Sequence, residues 1–170
     1  MKTVIVLATH GALPSDFPRQ ELEELFSLRA QIRRALPEDR PLLEQHLREL
    51  DRRVRTWPRT PANDPFYTAS QEIATRLRGL TGKEVIVAFN EFCAPSLEEG
   101  LDIAVQRGAQ HIVVLTPMLT RGGEHAEKEI PAAIEQARER HPDVTFTYAW
   151  PFSDEAIAAF LAAQIARFTV

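Results

Sequence analysis

Four short apolar runs, at residues 4–8, 84–89, 110–115 and 144–150, alternate with stretches of helical periodicity. The runs are rich in β-branched residues and too short for free-standing helices. They read as strands of a parallel sheet covered on both faces. Strands separated by helices pair in parallel through right-handed crossovers, with helices on either side. The expected fold is therefore α/β, with about four parallel strands. At 170 residues and 44% hydrophobic the chain is large enough for one domain with its own core.

The helical stretches have local signals. Residues 67–80 carry Ile73, Leu77 and Leu80 on one face, expected to be buried, with Gly79 and Gly82 closing the helix. Ser96 and Glu99 have capping-box spacing, and the helix they open should end at Gly108. Pro131 is tolerated only in a first turn, so the next regular helix should begin near Glu129, with Ile130, Ile134 and Ala137 inward. Ser153 caps a last helix expected to bury Ile157, Phe160, Leu161, Ile165 and Phe168.

A segment of different character follows the first strand. Residues 18–60 hold ten of the seventeen arginines and none of the three lysines. Leu25, Leu28, Ile32 and Leu36, then Leu43, Leu47, Leu50, Val54 and Trp57, repeat every three or four positions, with a proline-bounded turn at 37–41 between them. The pattern predicts an amphipathic helical hairpin, residues 18–57, inserted within a single domain of residues 1–170. Surface packing, a dimerisation arm and a lid over a site all fit it. A proline- and asparagine-containing connector at 58–65 leads back to the main alternation.

The bulk numbers exclude several classes. A net charge of −4 argues against a nucleic-acid partner. One cysteine, Cys93, excludes an internal disulfide framework and a Cys-only zinc site; it is expected to be a small core residue. The N-terminal apolar run stops at Thr9-His10-Gly11 without a cleavage pattern, and no stretch reaches the roughly 20 apolar residues of a membrane span. A soluble, cytoplasmic protein without a membrane partner is expected.

In a parallel sheet the carboxyl ends of the strands lie along one edge, where such folds bind ligands. His10 follows the first strand, Glu91 ends the second, and His125 follows the third beyond the Gly122-Gly123 turn. Two imidazoles and a carboxylate suit a divalent first-row metal such as Co²⁺, Ni²⁺, Fe²⁺ or Zn²⁺. Three ligands leave positions open, whereas a closed structural zinc site takes four. Arg121, Met118 and Ala12 flank the same edge. His46, His111 and His141 fall elsewhere, and Gly122-Gly123 matches neither a P-loop nor a dinucleotide fingerprint.

The Thr9-His10-Gly11 turn, Ala88-Phe89-Asn90-Glu91 followed by Ala94-Pro95-Ser96-Leu97, and Gly123-Glu124-His125 with Glu129-Ile130-Pro131 resemble the class II chelatases. The resemblance is to the short CbiX-type sirohydrochlorin cobaltochelatases, related to the sirohydrochlorin ferrochelatases, over roughly residues 1–13 and 62–168. It implies a flavodoxin-like winding. It also implies insertion of Co²⁺, or a similar divalent ion, into a metal-free tetrapyrrole in cobalamin or sirohaem synthesis, without ATP or an organic cofactor. By the same resemblance His10, Glu91 and His125 would be the metal-binding and catalytic residues, Arg121 would anchor the carboxylates of the tetrapyrrole with Ala12 and Met118 also meeting it, and the chain would form a homodimer. Ala12 stands where the family usually has a small hydroxylated residue, Glu129 replaces an aspartate, and the hairpin is additional. Two other readings compete: a non-catalytic metal- or tetrapyrrole-binding paralogue, and a phosphatase with His10 as nucleophile. The second would need arginines around the phosphate, and Thr9 stands where one is expected.

Overall fold

A computed structural model describes residues 1–169. Strands β1 (Thr3–Thr9), β2 (Glu84–Phe89), β3 (His111–Leu115) and β4 (Thr145–Tyr148) form one sheet in the order β2-β1-β3-β4, all parallel. Helices α1 (Arg19–Ile32), α2 (Arg40–Arg55), α3 (Pro65–Thr81), α4 (Leu97–Gln106), α5 (Ile130–Arg140) and α6 (Asp154–Ala166) alternate with the strands, α1 and α2 being extra to the alternation. The architecture is the expected α/β one, and the strand order is that of flavodoxin-like winding.

The alternation of side chains along β1 divides the core. Val4, Val6 and Ala8 point to one face, where they meet Leu97, Leu101 and Ala104 of α4 and Ile130, Ile134 and Ala137 of α5. Gly100 lets α4 lie close to the sheet, since a Cβ there would fall 2.6 Å from that of Ala88. Ile5 and Leu7 point to the other face, against Tyr67, Ala74 and Leu77 of α3 and the sulfur-bearing Cys93.

Two predicted apolar faces are corrected here. In α3 the buried positions are Ser70 and Ala74, while Ile73 is 50% and Leu80 86% exposed. The inward stripe runs through Tyr67, Ser70, Ala74 and Leu77, so Leu77 packs as expected while Ile73 and Leu80 lie off that stripe. In α6 no residue is buried: Phe160, Leu161 and Ile165 are exposed, as is Phe168 just beyond the helix end. The cap is as expected, Ser153 Oγ accepting from Ala156 N at 3.1 Å. The helix forms on its own signals but lies on no face of this chain.

The two arginine-rich helices do form, with the turn where the prolines put it. Their apolar stripes meet in a third cluster of Phe17, Leu25, Leu28, Leu50 and Val54. Leu13, from the loop after β1, and Phe92, from the loop after β2, pack into the same cluster. Leu36 is outside it, exposed beyond the end of α1. No helix among the described residues is long and apolar enough to cross a membrane.

Candidate metal centre

The in-line pairing of β1 with β2 continues past the strand ends. Asn90 N donates to Thr9 O at 2.9 Å and Glu91 N to His10 O at 2.8 Å, so the two loops leave the sheet side by side. Gly11 then turns at φ +99°, a conformation that favours glycine. On the other side β3 ends next to β1, and Thr116 is fully buried, its Oγ1 accepting from Met118 N at 3.2 Å.

His125 begins a five-residue π-helical segment, His125–Glu129, immediately before α5. The sequence predicts an irregular approach to Pro131, and the wider π turn is the form it takes. Such turns occur frequently at functional sites. Buried Ala126 anchors the segment, its carbonyl accepting from Tyr148 Oη at 2.9 Å, and Glu127 Oε1 accepts from Gly122 N at 2.8 Å.

These elements bring His10, Glu91 and His125 together, one ligand atom from each lying within 4.8 Å of the others. The two imidazole rings meet edge to face with centroids 4.6 Å apart. Metal–ligand bonds of about 2.0–2.2 Å hold ligand atoms no more than ~4.4 Å apart, so only a few tenths of an ångström of closure are needed. Both rings are oriented by their Nδ1 atoms. That of His10 donates to Gly11 O at 2.9 Å and that of His125 to Glu129 Oε2 at 2.7 Å. Each Nε2 is thereby left as the free lone pair, the arrangement in which a carbonyl or carboxylate behind the ring sets the tautomer for a metal. Two buried polar atoms on residues adjoining His10 and Glu91, Thr9 Oγ1 and Asn90 Oδ1, have no protein partner.

The three residues predicted to meet substrate differ in their surroundings. Arg121 is exposed and has no ion-pair partner among the described residues. Met118 is half-buried against the α4–α5 core. Ala12 is half-buried, and its carbonyl accepts from Arg59 Nη1 at 2.8 Å. The remaining histidines are occupied elsewhere: His46 with Glu24 at 3.2 Å, His111 with Thr147 at 2.9 Å, and His141 with Asp102 at 2.8 Å. Cys93 is buried in the α3-side core, where burial pushes its thiol up.

Sequence reasoning passed over two groups. Glu129 follows His125 by four residues, a spacing that could have marked it as the carboxylate behind the ring. Arg59 sits in the 58–65 connector and is bonded to residues from four separate segments. Its partner Asp64 caps α3 through Tyr67 N at 2.8 Å, and Asp-Pro before an apolar helix was the visible trace of that.

The CbiX family model matches residues 63–167. The chain belongs to the CbiX family. That match contains Glu91 and His125, and His10 and the hairpin precede it. Among curated relatives, a sirohydrochlorin cobaltochelatase from Priestia megaterium is 43% identical over 67 residues, which are 39% of this chain and 22% of that protein. A sirohydrochlorin ferrochelatase from Bacillus subtilis (strain 168) is 33% identical over 94 residues, 52% of this chain and 36% of that one. The matched segments thus span about a fifth to a third of these relatives' lengths.

Two solved structures share the fold of this CbiX-family chain. SirB from Bacillus subtilis with Fe³⁺ matches with TM-score 0.51 and 20% identity, over 100% of this chain and 48% of SirB. A cobalamin biosynthesis CbiX protein from Marinobacter aquaeolei VT8 matches with TM-score 0.52 and 18% identity, over 97% of this chain and 98% of that one.

Proposed function

We propose that the protein is a class II chelatase that inserts Co²⁺, or a similar divalent ion, into sirohydrochlorin or a related metal-free tetrapyrrole. The observation that carries this reading is the convergence of His10, Glu91 and His125 at the ligand edge of a CbiX-family sheet. Named relatives that insert cobalt and iron support the substrate class.

The residues suit the chemistry. Three donors hold an ion without closing its coordination shell, so the open positions can pass to the macrocycle. Metallation also releases two pyrrole N–H protons, and an imidazole at the metal is a suitable acceptor. Arg121, free of carboxylate partners, is the candidate anchor for the macrocycle's carboxylates, with Met118 and Ala12 beside the same opening. No organic cofactor is needed for an exchange of protons for a metal ion.

The hydrogen bonding of Arg55 and Arg59 disfavours a phosphatase. Both guanidinium groups are held by carboxylates and backbone carbonyls rather than left to bind phosphate. We further propose a homodimer in which the exposed apolar residues of α6 meet a second copy. Residues 1–170 then act as one domain, with the hairpin packed on it.

Anaerobic incubation with sirohydrochlorin and Co²⁺, Ni²⁺ or Fe²⁺, followed in the Soret region, tests the proposal. Metallation faster than the spontaneous rate with at least one ion is expected. A folded protein that gives no acceleration with any of the three overturns it, and ion binding without turnover would identify a metal-binding paralogue instead.

A further inference from the structure

We infer that Arg59 and Arg55 are positioning residues of the metal centre: guanidinium clamps through which the arginine-rich hairpin fixes the two loops carrying His10 and Glu91. The inference rests on the metal-centre reading given above.

Arg59 is the most heavily bonded side chain of the described residues. Its Nε donates to Trp57 O at 3.2 Å. Nη1 donates to Ala12 O at 2.8 Å and to Asp64 Oδ2 at 2.6 Å. Nη2 donates to Val54 O at 2.7 Å and to Phe92 O at 2.5 Å. Five acceptors match the five N–H groups of a guanidinium, and the geometry is one that an ammonium with three donors cannot reproduce. The side chain is 5% exposed and that of Asp64 is 0% exposed, so the ion pair is neutralised inside the fold. What the fork joins is informative. Ala12 lies two residues after His10, Phe92 lies one residue after Glu91, and Val54 belongs to α2.

Arg55, the last residue of α2, acts on the same loop from the neighbouring side. Its Nη1 donates to Cys93 O at 3.0 Å and Nη2 to Asn90 O at 3.3 Å, while Nε is held by Asp51 Oδ2 at 2.6 Å. Its backbone carbonyl accepts from Ala94 N at 3.1 Å. Glu91 therefore stands between carbonyls that are gripped on both sides, those of Asn90, Phe92 and Cys93.

That loop needs gripping. Phe92 has φ +57°, a left-handed conformation unfavourable for a bulky residue. Strain of this kind persists only when the surroundings over-determine it. The Phe92 carbonyl is fixed by Arg59, and its ring lies in the hairpin cluster under the Arg29 guanidinium, 5.4 Å from the ring centroid. Reversing φ at Phe92 would re-aim the adjacent Glu91 carboxylate. The hairpin is thus a brace for one ligand loop, tied by the same guanidinium to the other.

The test is anaerobic Co²⁺ titration of the full chain, read by calorimetry and by the visible d–d absorption of the bound ion. The chains compared are wild type, Arg59→Lys, Arg55→Gln and a control, Arg78→Gln. Arg78 makes a similar side-chain bond, to Val85 O near the start of β2 at 3.0 Å, at the opposite end of the strand from the Glu91 loop. Arg59→Lys and Arg55→Gln are expected to weaken Co²⁺ binding on the order of 10–100-fold, as removal of outer-shell partners does, and to alter the d–d envelope. Arg78→Gln should bind as wild type. A folded Arg59→Lys with wild-type affinity and spectrum overturns the inference, as does an equal loss in Arg78→Gln. Should Arg59→Lys not fold, Arg55→Gln decides on the same criteria, and its failure to fold as well would assign both residues to stability alone. A wild-type chain that binds no Co²⁺ would overturn the metal-centre reading itself.

Discussion

A Cβ atom placed on Gly11 would lie 1.8 Å from the carbonyl oxygen of Glu91. The backbone that follows one candidate ligand is thus pressed against the backbone of another, and only a residue without a side chain permits the approach. Gly11 also has φ +99°, so a substitution adds strain to overlap. Gly11→Ala is expected to destabilise the fold by at least ~2 kcal/mol and to separate the loops enough to abolish tight Co²⁺ binding. Urea unfolding and Co²⁺ titration measure both. Stability within the usual error of wild type, with the ion still bound, would show that the loops move apart without consequence.

The 2.7 Å bond from His125 Nδ1 to Glu129 Oε2 makes a second expectation. Glu129→Gln keeps the shape but offers an amide, which can present its own N–H to the ring and stabilise the opposite tautomer. Co²⁺ affinity and turnover should both fall on the order of 10–100-fold. Nitrogen NMR of the histidine rings is the direct check. The wild type should carry the His125 proton on Nδ1, and the variant should show it on Nε2 or exchanging.

How much of this was readable beforehand depends on the kind of interaction. The parallel α/β alternation, the place of the hairpin turn and the convergence of His10, Glu91 and His125 on one edge follow from periodicity and chain connectivity, which are local in sequence, whereas the flavodoxin-like strand order was implied only by the resemblance. The inward faces of α3 and α6 were misread because hydrophobicity says that a surface will be covered, not by what. Ala74 is buried while Ile73 beside it is not, because consecutive helical positions point about 100° apart and the stripe that meets the sheet is Tyr67, Ser70, Ala74 and Leu77. Arg59 could not be singled out among the ten arginines of residues 18–60. Its five acceptors, four of them backbone carbonyls, have no signature in the amino-acid sequence.

Tyr148 joins β4 to the segment carrying His125, and burial pushes its phenol up to about 12 from an ordinary value near 10. The sign is that of an acid whose ionisation is opposed by folding. Below pH 10 both states are protonated and the contribution is complete. Between about 10 and 12 the unfolded chain releases the proton while the folded chain retains it, so stability falls as pH rises. Stability measured by denaturant titration from pH 9 to 12 should decline less steeply in Tyr148→Phe than in wild type. At pH 8 the variant should lose on the order of 1 kcal/mol, for the bond to Ala126 O. Parallel alkaline slopes in the two proteins would count against the assignment.

Helix α6 provides the last expectation. Phe160, Leu161 and Ile165, on a helix with no buried residue, and Phe168 just after it are between 51% and 78% exposed. Each such side chain gains roughly 1.5–3 kcal/mol when fully buried. A helix that is apolar all round and buries nothing in its own chain is a candidate for an interface. If α6 meets a second copy, the wild type should sediment as a dimer at micromolar concentration, about −8 kcal/mol of association. Phe160→Glu or Ile165→Glu would then put a charge into the contact. Loss of one central apolar anchor typically costs 2 kcal/mol or more, so the dimer dissociation constant should rise by at least ~30-fold. Circular dichroism of the variants should be unchanged, because α6 supports no core of its own chain. A wild type that stays monomeric at tens of micromolar would rule the dimer out, and variants that remain dimeric would move the interface to another face.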